Sequence, residues 1–203
     1  LPYFIGGDIE SRSKLILQSD ESFKDQYNVT VKTDTEVQSI DPAGKKVTAL
    51  DRKSGKKIVL EYDSLILAQG GRPIVPPIPG VDKPQVFSLW TLQDMDSIDS
   101  FIREKSPRTA VVVGGGFIGL EMVEALTKRG MKVTVVERLP QVMPNLEAEI
   151  AGFITGEMIS YGVDVLTSRS VTEVKKSSVV LDDGREINAD MVLMSVGVKP
   201  TLK

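Results

Sequence analysis

The chain has 203 residues, of which 25 are Lys or Arg and 28 are Asp or Glu, so its formal net charge is −3. Because it contains neither Cys nor His, disulfides, thiol and imidazole catalysis, and the zinc and haem sites that need those ligands are excluded. Any chemistry must therefore use carboxylates, lysines, hydroxyls or a bound cofactor, and no metal site is expected.

A nucleic-acid partner is not expected, because the charge is nearly balanced and no run of Lys and Arg exceeds two residues. No apolar run approaches the roughly 18 residues of a membrane helix, and no signal peptide opens the sequence. A cytoplasmic protein without membrane contact is the resulting expectation. The sequence starts at Leu1 without Met, which suggests a segment of something longer.

The first hundred residues predict a hairpin, an apolar strand and a stiff connector. The hairpin comprises strands over 46–50 and 58–61, and an apolar strand that follows Asp63 ends at Gly70. The Pro-rich segment 73–80 can form neither a helix nor a central strand, so it is predicted to connect two parts of the fold.

The middle of the chain predicts a strand, a glycine turn, a helix and a second strand. A helix over 92–104 comes first, and we place a domain boundary at about residue 105. The β-branched run at 108–113 is typical of a strand buried on both faces of a parallel sheet. Three glycines follow it, and then a helix over 120–129 and a buried strand over 132–137.

The remaining residues predict one amphipathic helix followed by short strands. The helix covers 146–161 and ends at Gly162. Strands are predicted at 163–166, 171–175, 178–181, 186–189 and 191–196.

The first hundred residues contain a partial repeat of the C-terminal part. Residues 35–37 and 172–174 share the sequence Thr-Glu-Val. Residues 62–73 align with 189–200, with Asp, Gly and Pro in register and an apolar strand between Asp and Gly. The repeat predicts two copies of one structural unit.

The first copy is expected to be incomplete. In the second copy the glycine turn at Gly114 lies 58 residues before Thr172, and the same spacing before Thr35 falls upstream of Leu1. The expected fold is therefore α/β, with a Rossmann-like parallel sheet and a three-stranded antiparallel β-meander. This unit is duplicated, and its first copy lacks a strand, a glycine turn and a helix.

The glycine turn has the context of a dinucleotide-binding motif. Gly114, Gly116 and Gly119 follow a strand and open a helix, and Glu137 ends the next strand 18 residues beyond Gly119. Gly114 permits the tight turn, Gly116 lets a pyrophosphate approach the backbone, and Gly119 lets helix and strand pack closely. The start of the helix, which includes Ile118, offers N–H groups to the phosphates. The alternative is a purely structural glycine turn.

Glu137 predicts which coenzyme binds. A carboxylate at this position accepts hydrogen bonds from the ribose hydroxyls and repels a 2′-phosphate, so NAD(H) is expected in preference to NADP(H). Arg138 complicates this prediction, because a guanidinium one residue later could pair with that phosphate.

Four positions each have two interpretations. Glu121 either faces the cofactor or complements the helix dipole. Phe117 either packs inside the fold or covers the ring beside the nicotinamide. Val37 and Val174, from the repeated Thr-Glu-Val, either meet an adenine edge through main-chain atoms or mark equivalent strand starts.

Two glycines mark the edge of the sheet where ligands of doubly wound folds bind. Gly70 and Gly197 end the closing strands of the two copies, at the carboxyl edge of the sheet. Tyr3, Arg12 and Lys14 are possible substrate contacts, but each is more simply explained as a surface residue.

The chain resembles the flavin- and nicotinamide-dependent disulfide reductases, in particular the branch of coenzyme A-disulfide reductases, NADH oxidases and NADH-dependent persulfide reductases. The resemblance is carried by residues 1–7, 62–70, 111–121 and 195–200, and it covers essentially the whole chain. Members of this family bind FAD with an N-terminal glycine motif and NAD(P)H with a second one. They pass electrons onward to a redox-active Cys.

The resemblance implies a middle segment of such an enzyme. The redox Cys of this branch typically stands two residues ahead of the position of Leu1, and the dimerisation domain follows the position of Lys203. Residues 1–105 then correspond to part of the FAD-binding domain, and 106–203 to the NAD(H)-binding Rossmann-like domain. The parent enzyme is expected to be a homodimer that passes electrons from NADH through FAD to a disulfide, a persulfide or oxygen.

The resemblance also implies roles for individual residues. By position it places Val37, Ala68 and Gly70 along FAD. It makes Phe117 a shield of the flavin and places Glu121 beside the nicotinamide. The other NAD(H) contacts that it implies are Glu137, Val174 and Gly197. Gln69 departs from the family, which often has Thr there, and no coenzyme A contact is assigned.

The chain alone is expected to bind NAD(H) without turning over. The reason is that the main phosphate cradle of the flavin and the redox thiol of the family lie outside it. The alternative is a stand-alone, non-catalytic nucleotide-binding module.

Overall fold

The computed structural model describes residues 1–201, which form five α-helices and thirteen β-strands. The helices are α1 (Pro2–Gly6), α2 (Asp20–Tyr27), α3 (Leu92–Lys105), α4 (Phe117–Lys128) and α5 (Ala148–Ser160). The strands are β1 (Thr35–Asp41), β2 (Lys46–Asp51), β3 (Lys57–Glu61), β4 (Gly71–Pro73), β5 (Val86–Phe87), β6 (Thr109–Val113), β7 (Lys132–Val136), β8 (Asp164–Leu166), β9 (Val171–Val174), β10 (Ser178–Leu181), β11 (Glu186–Asn188), β12 (Met191–Met194) and β13 (Val198–Pro200).

The chain divides into two compact units. The smaller unit comprises Leu15–Gln69, and the larger unit comprises Leu1–Lys14 together with the chain from Gly70 onward. The boundary predicted at residue 105 concerns the cofactor-binding domains, and it stays a prediction.

The smaller unit contains α2 and the antiparallel meander β1–β2–β3. Helix α2 begins with a capping box, in which the Ser22 N–H donates to Ser19 Oγ and the Ser19 N–H donates to Ser22 Oγ. The pairing of β1 with β2 shifts register between Val37 and Ser39. At this irregularity the Val37 side chain is 55% exposed.

The larger unit is built on a five-stranded parallel sheet with the order β5–β12–β6–β7–β8. Its three central strands, β12, β6 and β7, are buried along almost their whole length. Continuous apolar runs, rich in β-branched residues in β6 and β7, predict this burial, because a central strand of a parallel sheet is covered on both faces.

Helices cover one face of this sheet and a second meander covers the other. Helix α4 contacts β6 and β7, and α5 contacts β8. The meander β9–β10–β11 is antiparallel. Its Val174 and Val179 belong to one apolar cluster with Val111 and Val113 of β6. The three-stranded meander thus occurs twice along the chain, and the predicted α/β fold class is confirmed.

The second copy of the repeat has a residue that fastens two strands together. Asp190 Oδ2, at the start of β12, accepts hydrogen bonds from the N–H groups of Arg108 and Thr109 and from the Thr109 hydroxyl, at 2.9, 3.0 and 3.0 Å. Desolvation alone would raise the pKa of Asp190, but these hydrogen bonds outweigh it and hold the pKa below its ordinary value.

The strand predicted after Asp63 is not formed. Residues 65–67 are in no strand, and their side chains are 40%, 88% and 62% exposed. The equivalent strand β12 is instead buried between β5 and β6. An apolar strand of this kind needs a hydrogen-bonded neighbour, and within residues 1–201 no strand pairs with 65–67. In the same range Asp63 makes none of the strand contacts of Asp190.

Replacing Asp190 with Asn is expected to lower the free energy of unfolding by about 1 kcal/mol at pH 7, after allowance for its solvent exposure. Because the folded-state pKa is lowered, the carboxylate stabilises fully above the ordinary Asp pKa of about 3.9. This stabilisation is lost as the pH falls through the folded-state value. Urea unfolding at pH 7 and pH 3 should therefore show the difference shrinking in acid. The exposed Asp182→Asn variant is the control, and a difference that does not change with pH would contradict the assignment.

Among residues 1–201, no helix combines the length and the apolar character needed to cross a membrane.

Candidate functional site

A cleft of about 790 Å³ lies at the carboxyl ends of the central strands of the larger unit. Its floor comes from the ends of β6, β7 and β12 and from the loops that follow them. The connector from Pro73 to Pro77 forms one wall. Ligands of doubly wound folds bind at this edge of the sheet, so the cleft stands where the glycine motif predicts it.

At two of the three motif positions, neighbouring backbone comes so close that only glycine fits. Gly114 has φ +105°, and a Cβ there would collide with the Ser195 carbonyl oxygen and lie 2.7 Å from the Ser195 carbonyl carbon. A Cβ at Gly119 would collide with the Gly114 carbonyl oxygen. Only glycine lets the turn, helix α4 and strand β12 meet in this way.

Gly116 is different, because it faces open space. A Cβ on Gly116 would have no neighbour within 4 Å, and the residue is the N-cap of α4 without a side-chain capping bond. The first N–H groups of the helix and its positive dipole end are thus directed to a part of the cleft that a phosphate can enter. The residues present therefore fit a dinucleotide pyrophosphate.

Both carboxylate oxygens of Glu137 accept main-chain hydrogen bonds, one from the glycine loop and one from the turn that follows β7. Oε2 accepts a hydrogen bond from the Gly115 N–H at 2.7 Å, and Oε1 accepts one from the Leu139 N–H at 2.8 Å. The residue is only 8% exposed, yet it lines the cleft. Each oxygen keeps a second lone pair, so the carboxylate can still accept a hydrogen bond from a ribose hydroxyl.

Arg138 and Arg169 stand beside Glu137 at the cleft. The chain beyond β8 pairs with the chain beyond β7: the Arg169 N–H donates to the Glu137 carbonyl at 3.0 Å, and the Ser168 N–H donates to the Leu139 carbonyl at 2.9 Å. Sequence analysis missed Arg169, since no motif marks it. Only the hydrogen-bonded loops bring it to Glu137.

Asp183 orients the Arg169 side chain. Its Oδ2 accepts hydrogen bonds from Arg169 Nε at 2.7 Å and from Arg185 Nε at 2.8 Å. The pKa of Asp183 is lowered, first by the Arg185 N–H that donates to its carboxylate and then by the two guanidinium groups. One carboxylate between two guanidiniums leaves this group of three side chains with one net positive charge.

Three further residues that were predicted to contact NAD(H) also line the cleft: Phe117, Ile118 and Gly197. Phe117 and Ile118 open α4 and are 62% and 37% exposed, so the Phe117 ring is not packed into the core. Gly197 adopts φ +115°, and its carbonyl accepts a hydrogen bond from the Ile74 N–H at 2.9 Å. This bond ties the connector to the end of the closing strand.

Two predicted NAD(H) contacts do not line the cleft. Glu121 is exposed one turn after Phe117 on the same face of α4. Val174 is fully buried, and its main-chain groups are already used: its N–H donates to the Pro79 carbonyl at 2.8 Å, and its carbonyl accepts from Lys83 Nζ at 2.7 Å. Pro79 of the connector and Lys83 beyond it thus take the main-chain hydrogen bonds that we predicted for an adenine edge. Val174 is therefore not among the residues that we propose for the cofactor.

The three residues predicted to lie along FAD are exposed. Val37 and Ala68 belong to the smaller unit, and Gly70 begins the returning part of the larger unit. Their role in binding FAD stays a prediction.

The loop between β7 and α5 supports the glycine turn. The Met143 N–H donates to the Gly115 carbonyl at 2.8 Å, and Met143 itself has φ +48°. A Cβ on Gly115 would lie 2.8 Å from Val142 Cγ1. The positive φ of a residue other than glycine gives no signal in the sequence, so this support could not be predicted.

The model of the family described as pyridine nucleotide-disulphide oxidoreductase matches residues 5–203. The NADH oxidase of Methanocaldococcus jannaschii is 35% identical over 207 residues, and the coenzyme A disulfide reductase of Staphylococcus haemolyticus is 32% identical over 204 residues. Each match covers 100% of this chain and 46% of the relative. The chain thus spans about half the length of these curated relatives.

Solved structures show the same similarity. Reduced CoADR-RHD from Bacillus anthracis superposes with a TM-score of 0.94 at 38% identity, over 98% of this chain and 36% of that one. An engineered NADPH oxidase, a variant of the Lactobacillus brevis water-forming NADH oxidase, has been solved bound to NADPH. It superposes with a TM-score of 0.88 at 25% identity, over 98% of this chain and 45% of that one. Its substituted positions include a glycine, an aspartate 18 residues later that becomes alanine, and the next residue, which becomes arginine.

The family match, the two curated relatives and the fold agree with the resemblance that the motifs predict. The chain belongs to the pyridine nucleotide-disulphide oxidoreductase family.

Proposed function

We propose that the larger unit binds NAD(H) in the cleft at the glycine turn. The observation that carries this proposal is the combination of the open face of Gly116 at the start of α4 with the carboxylate of Glu137 beside it. The helix N-terminus would hold the pyrophosphate, Glu137 would accept hydrogen bonds from the ribose, and Phe117 and Gly197 would line the nicotinamide side. The coenzyme supplies a hydride when bound.

We further propose that the chain is part of a longer NADH-dependent flavoprotein that passes electrons from NADH through FAD to a disulfide, a persulfide or oxygen. The exposed apolar residues 65–67 support this proposal, because their repeat partner β12 is buried between two strands. The chain contains no Cys, so it cannot itself carry a redox thiol. Homodimerisation and a cytoplasmic location of the longer protein stay predictions, as does the assignment of 1–105 to FAD and 106–203 to NAD(H).

The choice of coenzyme rests on the pair of residues at the end of β7. Glu137 favours NAD(H), since its carboxylate repels a 2′-phosphate. The engineered relative bound to NADPH has lost its aspartate and gained an arginine at the next position. The same spacing from Gly119 leads to Glu137 and Arg138 here. This chain therefore has a carboxylate, as the original NADH oxidase does, followed by an arginine, as in the engineered NADPH oxidase.

The full chain should bind NADH with a dissociation constant in the micromolar range typical of such sites and should not catalyse NADH-dependent reduction of coenzyme A disulfide. NADH fluorescence titration measures the binding, and loss of absorbance at 340 nm measures turnover. The Glu157→Ala variant, which changes an exposed residue of α5 outside the cleft, is the control for binding.

Absence of NADH binding by a folded chain would refute the nucleotide site. Steady turnover by this polypeptide, with or without added FAD, would refute the proposal that the chemistry belongs to a longer protein. Binding of NADH without any binding of FAD to a polypeptide extended upstream would favour a non-catalytic nucleotide-binding module.

A further inference from the structure

We propose that the loop between β7 and α5 sets the direction of one peptide group in the glycine turn, and that Gln141 and Met143 are its positioning residues. The inference rests on the proposed NAD(H) site and deepens it, because it names residues that affect pyrophosphate binding from outside the cleft. Neither Gln141 nor Met143 lines the cleft. They act on the peptide group between Gly115 and Gly116.

The glycine turn needs support from other parts of the chain. Residues 114–116 are three consecutive glycines, and glycine adopts more backbone conformations than any other residue. The peptide group between Gly115 and Gly116 can therefore rotate so that its N–H and its carbonyl exchange directions. Only one of the two directions offers the Gly116 N–H to a phosphate in the cleft.

Two hydrogen bonds fix Gly115 from two sides. Its N–H donates to Glu137 Oε2 at 2.7 Å, and its carbonyl accepts from the Met143 N–H at 2.8 Å. The loop side of this contact is closed to solvent, since Val142 is fully buried and Met143 is 4% exposed.

The bond from Met143 determines where the next N–H points. In a trans peptide the carbonyl and the following N–H point in opposite directions. Because the Gly115 carbonyl faces the buried loop, the Gly116 N–H faces away from that loop, towards the cleft that Gly116 lines. Within residues 1–201, no main-chain carbonyl accepts a hydrogen bond from this N–H. It is thus directed to the place that we propose for the pyrophosphate.

The loop is held in the conformation that this bond requires. Gln141 Nε2 donates to the Leu146 carbonyl at 2.9 Å, and the Leu146 N–H donates to the Met143 carbonyl at 2.9 Å. Met143 has φ +48°, which is unfavourable for a residue with a side chain. The bonds of Gln141 and Leu146 therefore maintain a strained residue whose N–H is directed to Gly115.

Hydrogen exchange of the wild-type chain, followed by NMR at single amides, tests the direction of the peptide group without any substitution. The Met143 amide should exchange slowly with and without ADP-ribose. The Gly116 amide should exchange rapidly in the free chain and at least about tenfold more slowly with ADP-ribose bound. Rapid exchange at Met143, or a Gly116 amide that ADP-ribose does not slow, would overturn the inference.

Gln141→Ala tests the positioning role. It should weaken ADP-ribose and NADH about fivefold, the loss expected when about one turn conformation in five directs the Gly116 N–H to the cleft. Adenosine lacks the pyrophosphate, so its affinity should change less than about twofold. Calorimetric titration measures ADP-ribose and NADH, and NMR titration measures adenosine. Asn145→Ala is the matched control, since Asn145 is exposed in the same loop, and it should leave all three ligands unchanged.

The outcomes separate this inference from the proposed function. Equal weakening of adenosine and ADP-ribose by Gln141→Ala would overturn the positioning role, as would unchanged affinity for ADP-ribose. If neither NADH nor ADP-ribose binds to the wild-type chain, the proposed coenzyme site itself fails. Circular dichroism checks that Gln141→Ala is folded, and if it is not, the exchange measurement on the wild-type chain decides.

Discussion

Replacing Gly114 with Ala is expected to unfold the larger unit. Gly114 has φ +105°, and an added Cβ would collide with the Ser195 carbonyl oxygen in the backbone that follows β12. Neither backbone can move aside easily, because β6 and β12 are adjacent central strands that are buried and fully paired. Strain and steric collision together should cost at least about 4 kcal/mol, a large part of the stability of a typical domain. Urea denaturation followed by circular dichroism measures the loss.

Gly116→Ala is the matched variant from the same loop. Its φ is −84° and the space around it is empty, so its stability should stay within about 1 kcal/mol of wild type. The new methyl group would project into the place that we propose for the pyrophosphate, and NADH affinity should fall at least about tenfold.

Together, the Gly114→Ala and Gly116→Ala variants separate a structural role of the glycine turn from a role in binding the coenzyme. Gly114→Ala should lose the fold, whereas Gly116→Ala should keep the fold and lose the ligand. A Gly114→Ala chain as stable as wild type would show that the backbone contact with Ser195 is not obligatory. A Gly116→Ala chain with unchanged NADH affinity would place the pyrophosphate elsewhere.

Replacing Glu137 with Ala is expected to weaken NADH binding at least about tenfold and to lower the free energy of unfolding by about 1–3 kcal/mol. The stability falls because the buried Gly115 N–H and the Leu139 N–H lose their acceptor. The affinity falls because the glycine loop loses its anchor and the ribose loses an acceptor. Fluorescence titration and urea unfolding measure the two effects separately.

Glu137→Gln refines this prediction. The amide keeps one oxygen as an acceptor but turns an NH₂ group towards the other N–H donor, so about half of the stability loss should remain. Glu157→Ala, an exposed helical glutamate outside the cleft, should change neither quantity. If Glu137→Ala lost affinity for NADH with no change in stability, the carboxylate would act on the ligand alone and would not order the loop.

Local sequence patterns predicted the larger unit well, because each pattern has a local physical cause. The run of valines before Gly114 predicted a strand covered on both faces, and β6 is such a strand. Helix α4 begins at Phe117, three residues before the apolar periodicity suggested, since the N-cap is Gly116 rather than the last motif glycine. The repeat predicted two meanders, and both are present.

Local patterns failed where a strand depends on a neighbour. Residues 65–67 have the same apolar character as β12, yet they are exposed and form no strand within the described part of the chain. The difference is the partner: β12 pairs with β5 and β6, and Asp190 fastens it to the start of β6. Hydrogen bonds between strands that are distant in sequence decided this outcome.

The sequence by itself determined that a glycine turn joins β6 to α4 and that Glu137 directly follows β7, because both features follow from residue type and spacing. Tertiary structure alone decided what surrounds that turn. Pro79 of the connector and Lys83 beyond it take the main-chain hydrogen bonds of Val174, and the loop after β8 brings Arg169 beside Glu137. Both results arise from backbone hydrogen bonds and charge contacts between distant segments. Such contacts leave no periodic or compositional mark on the sequence.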